Sequence, residues 1–226
     1  MKKTAIILFA HLPEFEAKTK RFSGLSSQKV TQKISKYLTN HFYQLSKKTE
    51  AEVFWVDTFH QQGESFGERI SNAFADVYSK GFENVICIGN DCPDLKLSEL
   101  QKAIEITSSG KVILGPTTDG GAYLIGIPKA LFQKEKFEAI QWQSSQTYQQ
   151  LLNIFKFSAE IEQIGTKIDL DCENDLNKLD HTNVIARVIL QIIRLFQNQN
   201  CISQIKTKVD FLFISLSYLK GPPCLA

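Results

Sequence analysis

The stretch Val85-Ile86-Cys87-Ile88-Gly89-Asn90-Asp91-Cys92-Pro93 constrains the fold more than any other part of the chain. A short apolar run, mostly β-branched and closed by a Gly-Asn pair, reads as a buried strand. Pro93 has no amide hydrogen, so a strand ladder cannot continue through it. Asp91 is thereby expected at the carboxyl end of a strand, where open α/β sheets bind their ligands. Aspartate is also an ordinary turn former. What Asp91 does therefore depends on what the rest of the chain brings to the same edge.

Similar runs recur between helical periods. Thr4–Ala10 predicts a first strand, followed by a charged loop through Gly24. Ser26 or Ser27 is expected to cap a helix that buries Val30, Ile34, Leu38, Phe42 and Leu45 at three-to-four-residue spacing. Glu52–Asp57 predicts a second strand. A helix with Ile70, Phe74, Val77 and Tyr78 inward then stops at Gly81. After Asp91, Ser98 is expected to cap a helix ending near Gly110, and Lys111–Gly115 predicts a fourth strand. Ala122–Ile127 is a further apolar run, and Pro128 is placed to begin a short helix. Ile140–Trp142 reads as an irregular strand, Ser144 or Ser145 as the cap of another helix, and Glu160–Ile164 as a last strand. This alternation predicts a three-layer α/β/α sandwich around a mainly parallel, Rossmann-like sheet.

Composition narrows the function classes. A formal charge of +2 with no basic block argues against a nucleic-acid binder. The five cysteines lack paired spacing, and their odd number predicts neither a zinc site nor a disulfide framework. A reducing, cytoplasmic location is expected. The apolar run Thr4–Ala10 gives way at once to His11, Pro13, Glu14 and Glu16, which favours a strand over a leader peptide. The chain divides into a main domain, 1–180, and an apolar extension, 181–226. In the extension, Val184–Phe196 and Phe211–Leu219 fall short of the ~20 residues a membrane-spanning helix needs. A helix packed on the domain, followed by a tail, is the expectation there, without membrane contact.

The chemistry-bearing residues cluster at strand ends. Asp91 and Asp94 follow the third strand, Asp119 the fourth, and Asp169 and Asp171 the last. Carboxylates that converge repel unless a cation lies between them, and hard oxygen donors suit Mg²⁺ or Mn²⁺. The alternative is that each acid only caps or turns the chain. Asp119-Gly120-Gly121 is similarly double: a reversal signal, or a bare backbone that a sugar or phosphate can approach. Lys18, Thr19, Lys20 and Arg21 follow strand one where a nucleotide phosphate would lie, or form a solvated basic patch. Gly67-Glu68-Arg69 opens a helix whose free amide hydrogens favour anions. No serine or cysteine nucleophile motif is present, and His11, His41, His60 and His181 have no ligand spacing.

Taken in order, several blocks resemble a known family. They are Phe9-Ala10-His11-Leu12-Pro13, Gly63 with Phe66-Gly67-Glu68-Arg69, Gly89 to Leu95, Gly115 to Gly126, Trp142-Gln143-Ser144-Ser145, and Asp169-Leu170-Asp171 with Asp175-Leu176. Together they look like the bacterial GT-A-like glycosyltransferase family long described as a domain of unknown function. Some of its members are linked to arsenosugar biosynthesis. The guanylyltransferases that act on 2-phospholactate and molybdopterin are similar more distantly.

The resemblance covers about residues 4–180 and implies a nucleotide-diphospho-sugar transferase fold. It implies Asp91 as metal-binding acid, an acid of the Asp169/Asp171 pair as second ligand, and Asp119, Gly120 and Gly121 facing the donor sugar or the acceptor. Trp142 belongs to the same substrate-facing set, and Lys18, Arg21 and Arg69 would add positive charge along the phosphates. The first loop departs from the family's glycine followed by Lys-Thr-Arg: Glu16 stands near the glycine position, before Lys18-Thr19-Lys20-Arg21. His11 replaces a usual lysine, and Ala122 stands where tyrosine is common. The expected activity is metal-assisted glycosyl transfer from a nucleotide sugar to an unknown small acceptor. Nucleotidyl transfer and a nucleotide-binding domain without turnover are the alternatives.

Overall fold

The computed structural model describes residues 3–20, 28–176, 178–179 and 183–196. Six strands form one sheet: β1 (Thr4–Phe9), β2 (Glu52–Val56), β3 (Asn84–Ile88), β4 (Val112–Pro116), β5 (Ala122–Pro128) and β6 (Ile161–Gln163). Their order across the sheet is β2-β1-β3-β5-β4-β6. β1 pairs in parallel with β2 and β3, and β4 with β6, while β5 runs antiparallel between β3 and β4. The sheet is therefore mainly parallel, as the alternation predicts, with one reversed strand.

Alternate side chains go to opposite faces, and both faces are covered. Ile6, Leu8, Ile86, Ile88 and Ile113 pack with α2 (Gln28–Lys47), α4 (Leu97–Ser108) and a helix over 184–196. Ala5, Ile7, Val85, Cys87, Val112 and Leu114 pack with α3 (Phe66–Ser79), α5 (Lys134–Glu138) and α6 (Thr147–Phe155). This is why β1, β3 and β4 are continuous apolar runs rather than alternating ones. The edge strand β2, by contrast, buries only Val56 fully.

The chain leaves β1 through α2 towards β2 and leaves β3 through α4 towards β4, in opposite directions across the sheet, so the crevice between β1 and β3 is a topological switch point. Gly126 permits a close approach at the sheet's middle. A Cβ there would lie 2.5 Å from Ile113 Cγ2 and 2.7 Å from Thr107 Oγ1 of α4.

Several local expectations change. The charged loop after β1 contains a helix, α1 (Pro13–Thr19), with Pro13 at its start and Glu14 and Glu16 in its first turn. Proline's fixed φ and acids beside the positive helix end favour that start. Ser98 lies inside α4 rather than capping it; the Glu99 carboxylate accepts from the Lys96 amide at 2.8 Å instead.

Ile140–Trp142 is a tight turn, not a strand, with Trp142 N donating to Ile140 O at 2.8 Å. Gln146 holds the N-cap position of α6, and Ser144 Oγ accepts from its amide at 3.2 Å, so Ser144 shapes the preceding turn. Ser65 does cap α3, in a reciprocal pair with Glu68. Asp94 accepts from Asn183 Nδ2, and Asn183 Oδ1 caps the helix at 184–196 through the amides of Ile185 and Ala186. That helix buries Ile185, Ala186, Ile189 and Ile193 in the core. Ser26, Ser27 and Phe211–Leu219 lie outside the described residues. No described helix is long and apolar enough to cross a membrane.

Filling the Gly126 contact should cost stability without touching the switch-point crevice. Gly126→Ala is expected to lower the unfolding free energy by ~1–3 kcal/mol through overpacking, read as a lower urea midpoint at unchanged slope. An unchanged midpoint would show that Ile113 and Thr107 simply move aside.

Candidate functional site

Backbone pairing beyond the strand ends gathers the acids. Lys167 N donates to Pro116 O and Thr118 N to Lys167 O, so the chain after β6 runs beside the end of β4. Leu170 N then donates to Asp91 O at 2.8 Å, laying the segment Asp169-Leu170-Asp171 against the end of β3. Asp119 arrives from the other side. It sits in the β4–β5 turn, where its Oδ1 accepts from the Gly121 amide at 3.1 Å and from Thr117 Oγ1. The turn reading of Asp-Gly is thus correct, and the turn also faces the crevice.

The result is a cleft of about 650 Å³ over the carboxyl ends of β1 and β3, within the range of small-molecule sites. One side is apolar, with Phe9, Phe66, Ile70 and Trp142; the other carries Glu16, Asp91, Asp119, Asp169 and Asp171. Trp142 is fixed by Nε1 donating to Phe137 O at 2.9 Å, and its ring packs beside Phe66 with centroids 5.5 Å apart. Gly67 allows that packing, since a Cβ would meet Glu138 O at 2.4 Å.

At the acid side Lys20 is central. Its ammonium donates to Asp91 Oδ1 and lies 3.3 Å from Asp171 Oδ1 and 4.0 Å from Glu16 Oε2. Buried Asn90 ties this corner to the helices, donating to Thr39 Oγ1 at 2.9 Å and Glu16 Oε1 at 3.4 Å.

The electrostatics follow from this crowding. Burial, reinforced by Asp91, pushes the Glu16 carboxyl up to about 7 despite Lys20 and Asn90. Burial and the neighbouring Asp91, Asp119 and Asp171 likewise push Asp169 up to about 7, against a hydrogen bond from Cys92. The Lys20 ammonium is held above its ordinary range: burial opposes its charge, but Asp91, Glu16 and Asp171 outweigh that. His11, with Nδ1 3.1 Å from Thr58 Oγ1, is pulled down by burial and by Arg69.

Does this donor set fit a divalent cation? Among the described residues no three of His, Cys, Asp and Glu are grouped so as to hold a metal ion. Asp91 and Asp171 do, however, share one cation already, the Lys20 ammonium. Magnesium-type ions are commonly held by one or two carboxylates, with waters and substrate phosphates completing the shell. Two all-oxygen donors in an excess of negative charge fit that pattern.

Of the sequence-derived candidates, Asp91, Asp119, Gly121, Trp142, Asp169 and Asp171 meet at the cleft. Gly120 does not line it. Its φ is +93°, and a Cβ there would sit 2.2 Å from Ser145 O, so its absent side chain serves the contact between two loops. Lys18 points away, its ammonium 4.5 Å from the Phe15 ring centre. Arg69 is not part of the lining, although its charge is felt at His11, and its buried Nε finds no partner among the described residues. Arg21 lies outside the described residues.

The sequence reading missed Glu16 and Asn90 as cleft residues and singled out Lys18, whereas Lys20 is the lysine that lines the cleft among the described residues. Helical spacing gave the only clue. Glu16 and Lys20 are four apart and share one face of α1 and its end.

Comparison with known proteins bears on this geometry. Residues 37–144 match the profile of a family described as "Uncharacterized protein conserved in bacteria (DUF2064)". The matched stretch carries the glycine and aspartate blocks from Gly63 to Ser144, so the resemblance read from them holds there. None of the curated proteins compared with the chain matches it.

Among solved structures, a Desulfovibrio desulfuricans protein provisionally named a nucleotide-diphospho-sugar transferase is similar over 87% of this chain and 99% of its own, at 23% identity and TM-score 0.73. The chain has that fold. Weaker likenesses include 4-diphosphocytidyl-2C-methyl-D-erythritol synthase from Anaerococcus prevotii, at 13% identity over 84% of this chain and 96% of its own, TM-score 0.44. Another is Mycobacterium tuberculosis Rv0371c in complex with manganese, at 9% identity over 80% of this chain and 100% of its own, TM-score 0.42.

The crowding has a measurable signature. Asp169, ordinarily near 3.8, keeps its proton in the fold up to about 7. Its contribution to stability is therefore full below the ordinary value and is lost as pH rises through about 7. In metal-free buffer at pH 8, Asp169→Asn should be more stable than the parent by on the order of 1–3 kcal/mol. By pH 4 the difference should close. Equal melting temperatures at both pH values would show that Asp169 is not strained by its neighbours.

Proposed function

We propose that this protein transfers a glycosyl group from a nucleotide-diphospho-sugar to a small-molecule acceptor, assisted by Mg²⁺ or Mn²⁺ at the acid side of the cleft. The observation that carries the proposal is the charge of that cleft, where five carboxylates face one described ammonium. A diphosphate is repelled from such a field unless a divalent cation enters with it. The sequence resemblance and the fold support a nucleotide-diphospho-sugar as the molecule concerned.

Asp91 and an acid of the Asp169/Asp171 pair would hold the cation. Once bound, it would supply the Lewis-acid neutralisation of a departing diphosphate. The chain's own groups do the rest. Lys20 lines the same cleft and, once turned away from those carboxylates, would bring its positive charge to the diphosphate. Trp142 and Phe66 offer aromatic surface to the apolar side of a sugar or acceptor. Gly121 lets Thr117 close over the turn, its Oγ1 2.7 Å from where a Cβ would be, and keeps the turn beside Asp169, whose Oδ2 is 3.9 Å from the same point. Asp119, oriented by Thr117 and Gly121, is the carboxylate we assign to the acceptor hydroxyl.

A thermal-shift screen of nucleotides and nucleotide sugars, with and without Mg²⁺ or Mn²⁺, tests this. A nucleotide sugar at about 100 times its Kd should add ~2.7 kcal/mol of stability, only when metal is present. Asp91→Asn should lose that gain. Stabilisation that ignores metal for every ligand would overturn the proposal. Products then identify the bond broken: nucleoside diphosphate release indicates glycosyl transfer, whereas pyrophosphate release from a nucleoside triphosphate would indicate nucleotidyl transfer.

A further inference from the structure

Asp91 and Asp171 come from different parts of the chain, yet both reach the same ammonium. Lys20 directly follows α1, its amide bonded to Glu16 O at 2.9 Å, and its side chain is only 13% exposed. Each carboxylate is set by backbone that has its own reasons to be there: β3 for Asp91, and the Leu170 amide on Asp91 O for Asp171. Without a cation between them, the two would repel at close range. The lysine therefore occupies the position that the metal reading assigns to a divalent ion.

We propose that Lys20 is a built-in competitor for that ion: its ammonium neutralises Asp91 and Asp171 in the metal-free protein and must leave them before a metal can bind. The inference rests on the metal reading above. Lysine suits this role, since its charge sits on a flexible four-carbon stem with three rotatable donors. It can withdraw by side-chain rotation while α1 stays in place. A single positive charge also leaves the corner under-neutralised, since Glu16, Asp91 and Asp171 all lie within 4.0 Å of the one ammonium. A divalent ion in the same place would complete what the ammonium begins. The structure thus trades metal affinity for a metal-free state that does not fly apart at the cleft.

The test titrates Mn²⁺ alone into the metal-free full chain by calorimetry, with no nucleotide and no activity readout. Wild type is compared with Lys20→Met, Lys20→Gln and Lys20→Arg, each checked for native circular dichroism. When a competing internal state is removed, apparent affinity rises by the inverse of the competent fraction. The neutral variants are expected to bind Mn²⁺ about tenfold or more tightly than wild type. Lys20→Arg, which keeps the charge, should stay within about threefold of wild type. The neutral variants should also melt lower than wild type without metal, and recover when Mn²⁺ is added. Two neutral side chains guard against one of them failing to fold.

Equal Mn²⁺ affinity in wild type and both neutral variants would overturn the inference while leaving the metal reading intact. Weaker binding in the neutral variants would do the same, making Lys20 a support of the site rather than a competitor. If neither wild type nor any variant binds Mn²⁺, the inference and the metal reading fall together.

Discussion

Carboxylates crowded at one sheet edge, around a single lysine, are the constraint on which the site depends. Glu16, Asp91 and Asp171 reach that site from a helix, a strand end and a loop, and each contacts the Lys20 ammonium. In water such contacts would be worth little. Here Lys20 and Glu16 are largely shielded, with side-chain exposures of 13% and 7%, so their charges are neither well hydrated nor well screened. Removing Lys20 would leave Glu16 buried without its positive neighbour, while Asp91 and Asp171, at 33% and 64% exposure, keep part of their hydration. Lys20 supplies the positive charge that offsets the carboxylates of this corner.

The corner can be held because the fold beneath it is rigid. β1 and β3 are buried on both faces, sandwiched between helices, and they pair along their full length. Asn90, 1% exposed, then fastens the loop after β3 to α1 and α2. The reversed strand β5 matters equally. By inserting between β3 and β4 it brings the Asp119 turn to the cleft, which a purely parallel sheet would have closed with a helix connection. The cleft's second side, Phe66 against Trp142, depends on Gly67 and on a turn near 140 rather than on any strand.

Much of this was legible before any coordinates. Apolar runs closed by turn formers marked β1, β3 and β4, and the run that became β5, to within a few residues, because strands covered on both faces admit few polar side chains. Asp91 and Asp119 were legible as strand-end acids because each stands just past such a run, whereas Asp169 and Asp171 follow β6 only after the segment 164–168. The misreadings have physical causes too. A helix of seven residues, Pro13–Thr19, is too short to show an apolar period among its charges. The apolar Ile140–Trp142 looked like a strand because its side chains are wanted by the core and the cleft, although its backbone folds back on itself. Ser98 looked like a cap because serine favours that place, whereas the start of α4 is fixed by Glu99 and by the chain's path from Asp94.

What the sequence by itself determined is local: which segments are extended or helical, where each ends, and which acids stand at those ends. Hydrophobic period and turn chemistry act over a few residues, so they can be read from a few residues. Tertiary structure decided what meets what. That Lys20 rather than Lys18 reaches Asp91, that Glu16 is buried beside it, and that Gly120 serves a loop contact while Gly121 faces the cleft all depend on the angle of α1 and the register of β4 against β5. Those are set by packing across the whole sheet. Charges many residues apart acquire meaning only once the backbone has brought them within a few ångströms.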